Sequence, residues 1–382
     1  MFEFKLNEQQ LLIQQTIRDF AEAEIRPVVM KFDETQEFPI DIFKKLGEMG
    51  FLGILVPEEY GGSGFGYTEY ALIVEELAKV DPSVSLSLAA HNGLCTNHIL
   101  LFGSETQKKK YLPDLTSGRK IGTWCLTEAV SGSDASSLLT YAEKKANKFI
   151  LNGSKTFATH GTVGEIAVIM AKTDKEKQKK NISAFIAEKD YPGYLIGKKE
   201  NKLGCRASDT SQLTFENLEV PFENLLGEEG EGFHNAMKVL EGGRISIAAM
   251  ALGLAQGAYE ATVKYAKERF QFKKPLADFQ AIQFKLADMK TAIEASRLLV
   301  FRAAWMKDNG QSINLPASQA KLFASEAAVK ITEQAIQIHG GYGFTKDFPV
   351  EKYYRDVKLT TIGEGTSEIQ RIVISRSILE TL

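Results

Sequence analysis

The chain has 382 residues, more than one hydrophobic core usually serves, so two or three domains are expected. With 44% hydrophobic and 25% charged residues and a net charge of −3, it reads as a soluble globular protein and not as a general nucleic-acid binder, which needs a basic face. Cys95, Cys125 and Cys205 are far apart with no metal-ligand spacing, which points to a reducing compartment without a disulfide framework. Residues 1–20 carry Glu3, Glu8 and Asp19 and no apolar signal core, and the most apolar stretch, 245–255, is too short to span a bilayer. A cytoplasmic protein is expected; a processed organellar one would read the same way.

Residues 1–120 read as helical. Leu11, Leu12, Gln15 and Phe20 mark a first helix, and 40–46 a second. Leu72, Ile73, Leu77 and Val80 form a stripe closed by Asp81-Pro82, and the small, apolar stretch 83–101 predicts a buried helix. The texture changes near Ile121. Asn152-Gly153 predicts a hairpin between 149–151 and 155–159, with further strands at 165–171, 182–187 and 211–220. The charge run 172–180 predicts a solvated loop. From about Glu228 the helical pattern returns: 232–272, interrupted at Gly242-Gly243, then 279–309, 316–340 and 366–379, a four-helix bundle. The expected division is helical 1–120, β 121–227 and helical 228–382.

Several motifs are candidates for chemistry. Gly61-Gly62-Ser63-Gly64-Phe65-Gly66 has the wrong glycine spacing for a dinucleotide loop and no βαβ alternation after it, so it reads as a turn. The hydroxyl-rich segment from Leu126-Thr127-Glu128 to Ser133-Asp134, with Trp124 and Phe157 as apolar walls, suits either a heteroaromatic ligand or an ordinary capped loop. His339 reads as a satisfied helix-end residue, since nothing is spaced to form a triad or metal site with it. Glu364, between Gly363 and Gly365, is either a general base approached closely by a ligand or the cap of the helix starting near Thr366.

Taken together these motifs resemble the acyl-CoA dehydrogenase family over essentially the full length, its short-chain, butyryl-type branch above all. The blocks are Val56-Pro57-Glu58-Glu59-Tyr60-Gly61-Gly62, Trp124-Cys125-Leu126-Thr127-Glu128 through Ser133-Asp134, Leu151-Asn152-Gly153-Ser154-Lys155 and Leu203-Gly204-Cys205-Arg206-Ala207-Ser208. They continue with Glu268-Arg269-Phe270, Gln280-Ala281-Ile282-Gln283, Gln337-Ile338-His339-Gly340-Gly341, Tyr354-Arg355-Asp356 and Glu364-Gly365-Thr366-Ser367-Glu368-Ile369-Gln370-Arg371.

The resemblance implies an N-terminal helical domain, a middle β domain and a C-terminal four-helix domain, with FAD between the last two and its adenine end on a neighbouring subunit. It places Trp124, Leu126, Thr127, Ser133, Phe157 and Thr159 around the flavin ring. Arg269, Gln271, Phe272, Gln280, Gln337, Ile338, His339, Gly340 and Gly341 would hold the pyrophosphate and adenosine, and Thr366, Ser367 and Glu368 would add to the cofactor site. Ser133, Glu241, Gly242, Gly243, Arg244 and Gly365 would meet the acyl-CoA. Glu364 matches the catalytic base; some branched-chain relatives carry theirs at the position of Gly243, which cannot titrate here. Glu364 would take the α-proton while flavin N5 receives the β-hydride, giving a trans-2-enoyl-CoA, with the electrons passing to electron-transfer flavoprotein.

The resemblance further implies a homotetramer, a dimer of dimers, with no metal and no membrane insertion. Many relatives have Tyr before the base where this chain has Gly363, which leaves room for bulkier or branched acyl groups. Residues 80–107 before Lys108 contain no Lys or Arg to pair with a dicarboxylate substrate. Two competitors remain: an acyl-CoA oxidase using O2, and a catalytically silent acyl-CoA-binding homologue.

Overall fold

A computed structural model describes residues 5–174 and 180–380 of the chain. The N-terminal part is helical. Its first helix, Glu8–Phe20, starts at a capping box in which Asn7 and Gln10 satisfy each other's backbone N–H groups. Ile13, Ile17 and Phe20 form its buried face. Leu11 and Leu12, read from the sequence as marking this helix, are 51% and 68% exposed, because they lie off that 3.6-residue stripe. Tyr67–Val80 is buried almost all round and ends at Asp81, whose side chain caps Pro82–Ala90 through the Ser83 N–H. The buried run expected over 83–101 forms as Pro82–Ala90, a π-helical turn His91–Thr96 and Asn97–Phe102 in succession.

The middle part is an eight-stranded sheet in which Lys148–Thr159 lies between Tyr141–Lys145 and Thr210–Pro221. The hairpin expected at Asn152-Gly153 does not form. Lys148–Thr159 continues through it, with a shift of register against Thr210–Pro221 between Leu151 and Gly153 and a second between Lys155 and Ala158. Gly153 is needed for packing instead: a Cβ there would lie 2.7 Å from Thr140 Cα. The chain reverses earlier, at Ala146-Asn147, where Lys145 pairs with Lys148. Strands Gly122–Cys125, Tyr141–Lys145 and Tyr194–Lys199 carry too weak an alternation to stand out in the sequence. Of the expected charged loop, residues 175–179 lie outside the described residues.

The C-terminal part packs Gly232–Glu268, Gln280–Asp308, Asn314–His339 and Ser367–Leu379, with an unexpected short helix Val350–Asp356. The helix does not break at Gly242-Gly243, although a helical glycine costs about 1 kcal/mol relative to alanine. It stops at Glu268, before Phe272, because Phe272 and Lys273 take positive φ in a tight turn between the short strands Phe270–Gln271 and Lys274–Pro275. The three parts meet at one buried ionic cluster. Lys352 Nζ bridges Asp81 at 2.8 Å and Asp356 at 2.5 Å, and Asp356 also accepts the Cys205 N–H at 2.6 Å.

Candidate active site

After the 3-10 turn Val357–Thr361 the backbone enters the left-handed region twice in succession, at Glu364 (φ +53°) and Gly365 (φ +92°). The segment is held through its carbonyls. Lys321 Nζ donates to the Gly365 oxygen at 2.7 Å, and Gln370 Nε2 donates to the same oxygen at 2.9 Å and to the Glu364 oxygen at 3.2 Å. The helix cap is Thr366, whose Oγ1 accepts the Ile369 N–H at 3.3 Å; the Glu364 side chain turns elsewhere. Its Oε2 is buried without a hydrogen-bond partner among the described residues, although the residue as a whole is partly exposed. Burial raises the carboxyl group to about 7, against the opposing pull of Lys321 and Arg244.

The facing wall is the backbone of Gly232–Glu268. A Cβ on Gly243 would lie 2.7 Å from Glu364 Cδ, and one on Gly242 would lie 2.8 Å from a ring carbon of Tyr67. The glycine pair therefore lets two side chains from distant segments touch the helix. Tyr67 is positioned from both ends. Its backbone N–H donates to Asp308 at 2.6 Å, and its hydroxyl accepts from Asn97 Nδ2 at 3.2 Å. Arg244 is buried, with Nη1 donating to Asn314 at 2.8 Å and Ser318 at 3.2 Å, while its Nε has no partner among the described residues. Burial lowers its pKa, opposed by Glu241 and Glu364. Glu241 lies 3.6 Å from Lys238 on the same helix.

On the β side, Trp124 Nε1 donates to His98 Nδ1 at 3.0 Å, and Leu126 is buried. The loop that follows is fastened by a pair hidden in the Leu126-Thr127-Glu128 and Ser154-Lys155 motifs. Lys155 Nζ lies 2.7 Å from Glu128 and 3.1 Å from the Leu126 carbonyl. The Glu128 carboxylate also accepts the Leu139 and Thr140 N–H groups at 2.6 and 3.0 Å. The Thr127 carbonyl accepts the Thr156 N–H at 2.9 Å, and that of Thr159 accepts Thr123 Oγ1 at 2.6 Å. Ser133 is exposed beyond this anchor. Phe157 projects to 65% exposure from a backbone with φ +57°.

A third group surrounds a cavity of about 520 Å³ lined by Arg269, Gln271, Ile338, His339, Gly340 and Gly341, among others. His339 stacks on Tyr265 with centroids 4.2 Å apart, and its Nδ1 faces the Ala335 carbonyl at 2.7 Å, but its Nε2 is buried with no partner among the described residues, so the satisfied helix-end residue expected from the sequence is only half satisfied. Burial lowers its pKa. The Arg269 guanidinium sits 5.6 Å from the Tyr342 ring centroid. Phe272 is 88% exposed, and Gln280 and Gln337 are also exposed. Ser367 Oγ is buried without a partner among the described residues at the N-terminus of its helix, while Glu368 in the same turn is exposed.

Sequence reasoning brought out Glu364 and the glycines but missed Lys321, Tyr67 and the fastening role of Glu128 with Lys155. The one local signal for Lys321 is a lone cation among small residues in Ala317-Ser318-Gln319-Ala320-Lys321. Among the described residues, no group of His, Cys, Asp and Glu is arranged to hold a metal ion, and no helix is long and apolar enough to cross a membrane.

Three family models match in order: "Acyl-CoA dehydrogenase, N-terminal domain" over residues 7–119, "middle domain" over 123–218 and "C-terminal domain" over 230–379. The chain is 47% identical over 376 residues to a short-chain specific acyl-CoA dehydrogenase of Clostridium acetobutylicum, covering 98% of this chain and 99% of that one. The solved butyryl-CoA dehydrogenase of Megasphaera elsdenii superposes with a TM-score of 0.97 at 44% identity, covering 99% of this chain and all of the other. A chain from a structure described as an electron transferring flavoprotein of Acidaminococcus fermentans superposes with a TM-score of 0.98 at 48% identity, covering 99% and 100%.

Proposed function

The chain belongs to the acyl-CoA dehydrogenase family, and on that footing we propose that Glu364 is the base that removes the α-proton of a short acyl-CoA thioester. The protein is an enzyme of this class, and the class is FAD-dependent. One observation carries the reading. Glu364 offers a buried carboxyl oxygen with no partner among the described residues, set against a side-chain-free stretch of helix and tuned to about 7. A carboxylate with that pKa is half ionised near neutrality and basic enough to accept a proton from carbon.

The residues present suit the cofactor. Among the described residues, Gly340 and Gly341 have no atom within 4 Å of where a Cβ would stand, leaving the cavity beside Arg269 open to a bulky anionic group. Arg269 and Gln271 would hold the pyrophosphate there, and the fastened 126–134 loop with Trp124, Phe157 and Thr159 would face the ring. When bound, FAD supplies the acceptor for the second hydrogen and its electron pair. Everything else is left to the chain. Gly242 and Gly243 let Tyr67 and Glu364 lie against the helix that would face the substrate, Arg244 and Lys321 keep Glu364 ionisable, and the Glu364 backbone N–H would steady the thioester oxygen as charge develops.

The same reading includes electron-transfer flavoprotein as the electron acceptor and a dimer of dimers as the assembly. The outward-facing Phe272, Gln280 and Gln337 support a cofactor site completed by a second copy of the chain. The test is Glu364→Gln mixed anaerobically with butyryl-CoA while the flavin absorbance is followed. Flavin and substrate binding are expected to persist while bleaching slows by ~10² to 10⁴-fold. Bleaching at the wild-type rate refutes the assignment. Peroxide release under air would show an oxidase, and a protein that purifies colourless and takes up no FAD a silent homologue.

A further inference from the structure

We propose that Lys321 is a positioning residue for Glu364, its buried ammonium gripping the Gly365 carbonyl and so holding the turn that aims the carboxylate at Gly243. This rests on the reading of Glu364 as the base.

Lys321 lies in Asn314–His339 and is 0% exposed. A lysine that loses all its water must recover the loss through partners, since transferring an unpaired cation to the interior is prohibitive. Its hydrogen bond among the described residues is the 2.7 Å contact to Gly365 O, and none of the ion pairs among them includes it. The ammonium therefore does not serve as half of a salt bridge. It acts on the backbone of one turn.

That turn needs holding. Glu364 is a non-glycine residue in the left-handed region, directly followed by Gly365 at φ +92°. Strained backbone of this kind persists when its surroundings over-determine it. Here the two carbonyls on either side of the Glu364–Gly365 link are taken from two different helices, by Lys321 on one and Gln370 on the other. Loss of the Lys321 contact would leave Gln370 alone to fix the direction in which the carboxylate points.

The charge has a second effect. The groups that interact with the Glu364 carboxyl are the cations Lys321 and Arg244 and the phenols Tyr67 and Tyr70. Arg244 commits its Nη1 to Asn314 and Ser318, while its Nε has no partner among the described residues. Lys321 in turn faces Glu364, Glu368 and Glu326, with Arg244 repelling it, and burial brings it down to about 8. Both cations favour the ionised base, and Lys321 is the one tied directly to its turn.

The experiment uses the FAD-loaded enzyme with Lys321→Met and Lys321→Arg. One readout is the pH dependence of flavin reduction by butyryl-CoA, separated into limiting rate and half-saturating concentration. The other is the Glu364 carboxyl stretch, titrated by infrared difference against Glu364→Gln without turnover. For Lys321→Met we expect the ascending limb and the infrared titration to move up by about one pH unit. The limiting rate at pH 7 should fall about tenfold while half-saturation stays within about twofold. Lys321→Arg, which retains the cation, should return the infrared titration to within about half a unit of wild type. A limiting rate in Lys321→Met within about twofold of wild type overturns the proposal, as does an unmoved titration or one that Lys321→Arg leaves as displaced as the methionine does. If Lys321→Met does not fold, Lys321→Gln is read by the same criteria. Wild-type bleaching by Glu364→Gln would instead break the base assignment itself, whatever the Lys321 variants show.

Discussion

The Glu364 carboxyl group stands in the space that a side chain on Gly243 would need. A Cβ built on Gly243 lies 2.7 Å from Glu364 Cδ and 3.2 Å from Oε1, with Oε2 nearer still. Residue 243 is in the middle of a continuous helix and residue 364 in a turn near the far end of the chain, yet they compete for the same volume. The resemblance placed the base of some branched-chain relatives at the first of these positions. A side chain at either position therefore enters the same volume.

Gly243→Ala should push the Glu364 carboxylate out of this volume. A displacement of about 1 Å in a reacting group costs on the order of 10²-fold in rate. Flavin reduction by butyryl-CoA is expected to slow by that order while FAD content and the circular dichroism of the holoenzyme are retained. A variant that bleaches as fast as wild type would show that the contact does not position the base.

Burial lifts the Glu364 carboxyl from its ordinary 4.5 to about 7. Between those pH values the folded chain holds a proton that the unfolded chain has released, so this group's contribution to stability falls as pH rises through the window. Glu364→Gln removes the titration. The variant should melt above wild type at pH 8, with the gap closing toward pH 4.5, by calorimetry of the holoenzyme at both values. A gap that is absent, or that widens on acidification, contradicts the shift.

Gly363 stands where the resemblance implies a Tyr in many members of the family. A Cβ there would meet Leu359 at 3.5 Å and 3.6 Å, ordinary contact distances, so the place of a side chain is left open beside the proposed base. Branched and longer thioesters are expected to bleach the flavin at rates within about tenfold of butyryl-CoA, a methylene being worth about 10- to 200-fold only where a pocket fits closely. A sharp optimum at straight C4 with no reduction by branched thioesters would defeat the expectation.

Lys155 and Glu128 are both buried and hold the 126–139 loop together. Lys155→Met would strand the Glu128 carboxylate without its cation, a loss of about 3–5 kcal/mol. Weaker FAD retention on gel filtration and a lower melting temperature should follow. Adding Glu128→Gln should restore part of the stability, because the unpaired charge is then gone. Full FAD retention in Lys155→Met would show that the loop stands without the pair.

The order helices, sheet, helices was legible because hydrophobic period is a local property, carried by residues such as Leu72, Ile73, Leu77 and Val80 that sit within one or two turns of each other. Glu364 was legible because its glycine neighbours and the cap at Thr366 are adjacent in the chain. Local signals misled where packing overrode them. Asn152-Gly153 carries a turn signal, yet Gly153 serves to let Thr140 lie against a strand that continues past it. Gly242-Gly243 reads as a helix breaker, yet the glycines make room for Tyr67 and Glu364 while the helix continues.

The sequence by itself therefore determined the kinds of element, their order and the family to which the motifs point. The tertiary structure decided which groups surround the carboxylate and what they do to it: Lys321 on the Gly365 carbonyl, Tyr67 over Gly242, Arg244 against Asn314. Propensity and periodicity act over a few residues, whereas desolvation and charge act between groups close in space, however many residues separate them along the chain.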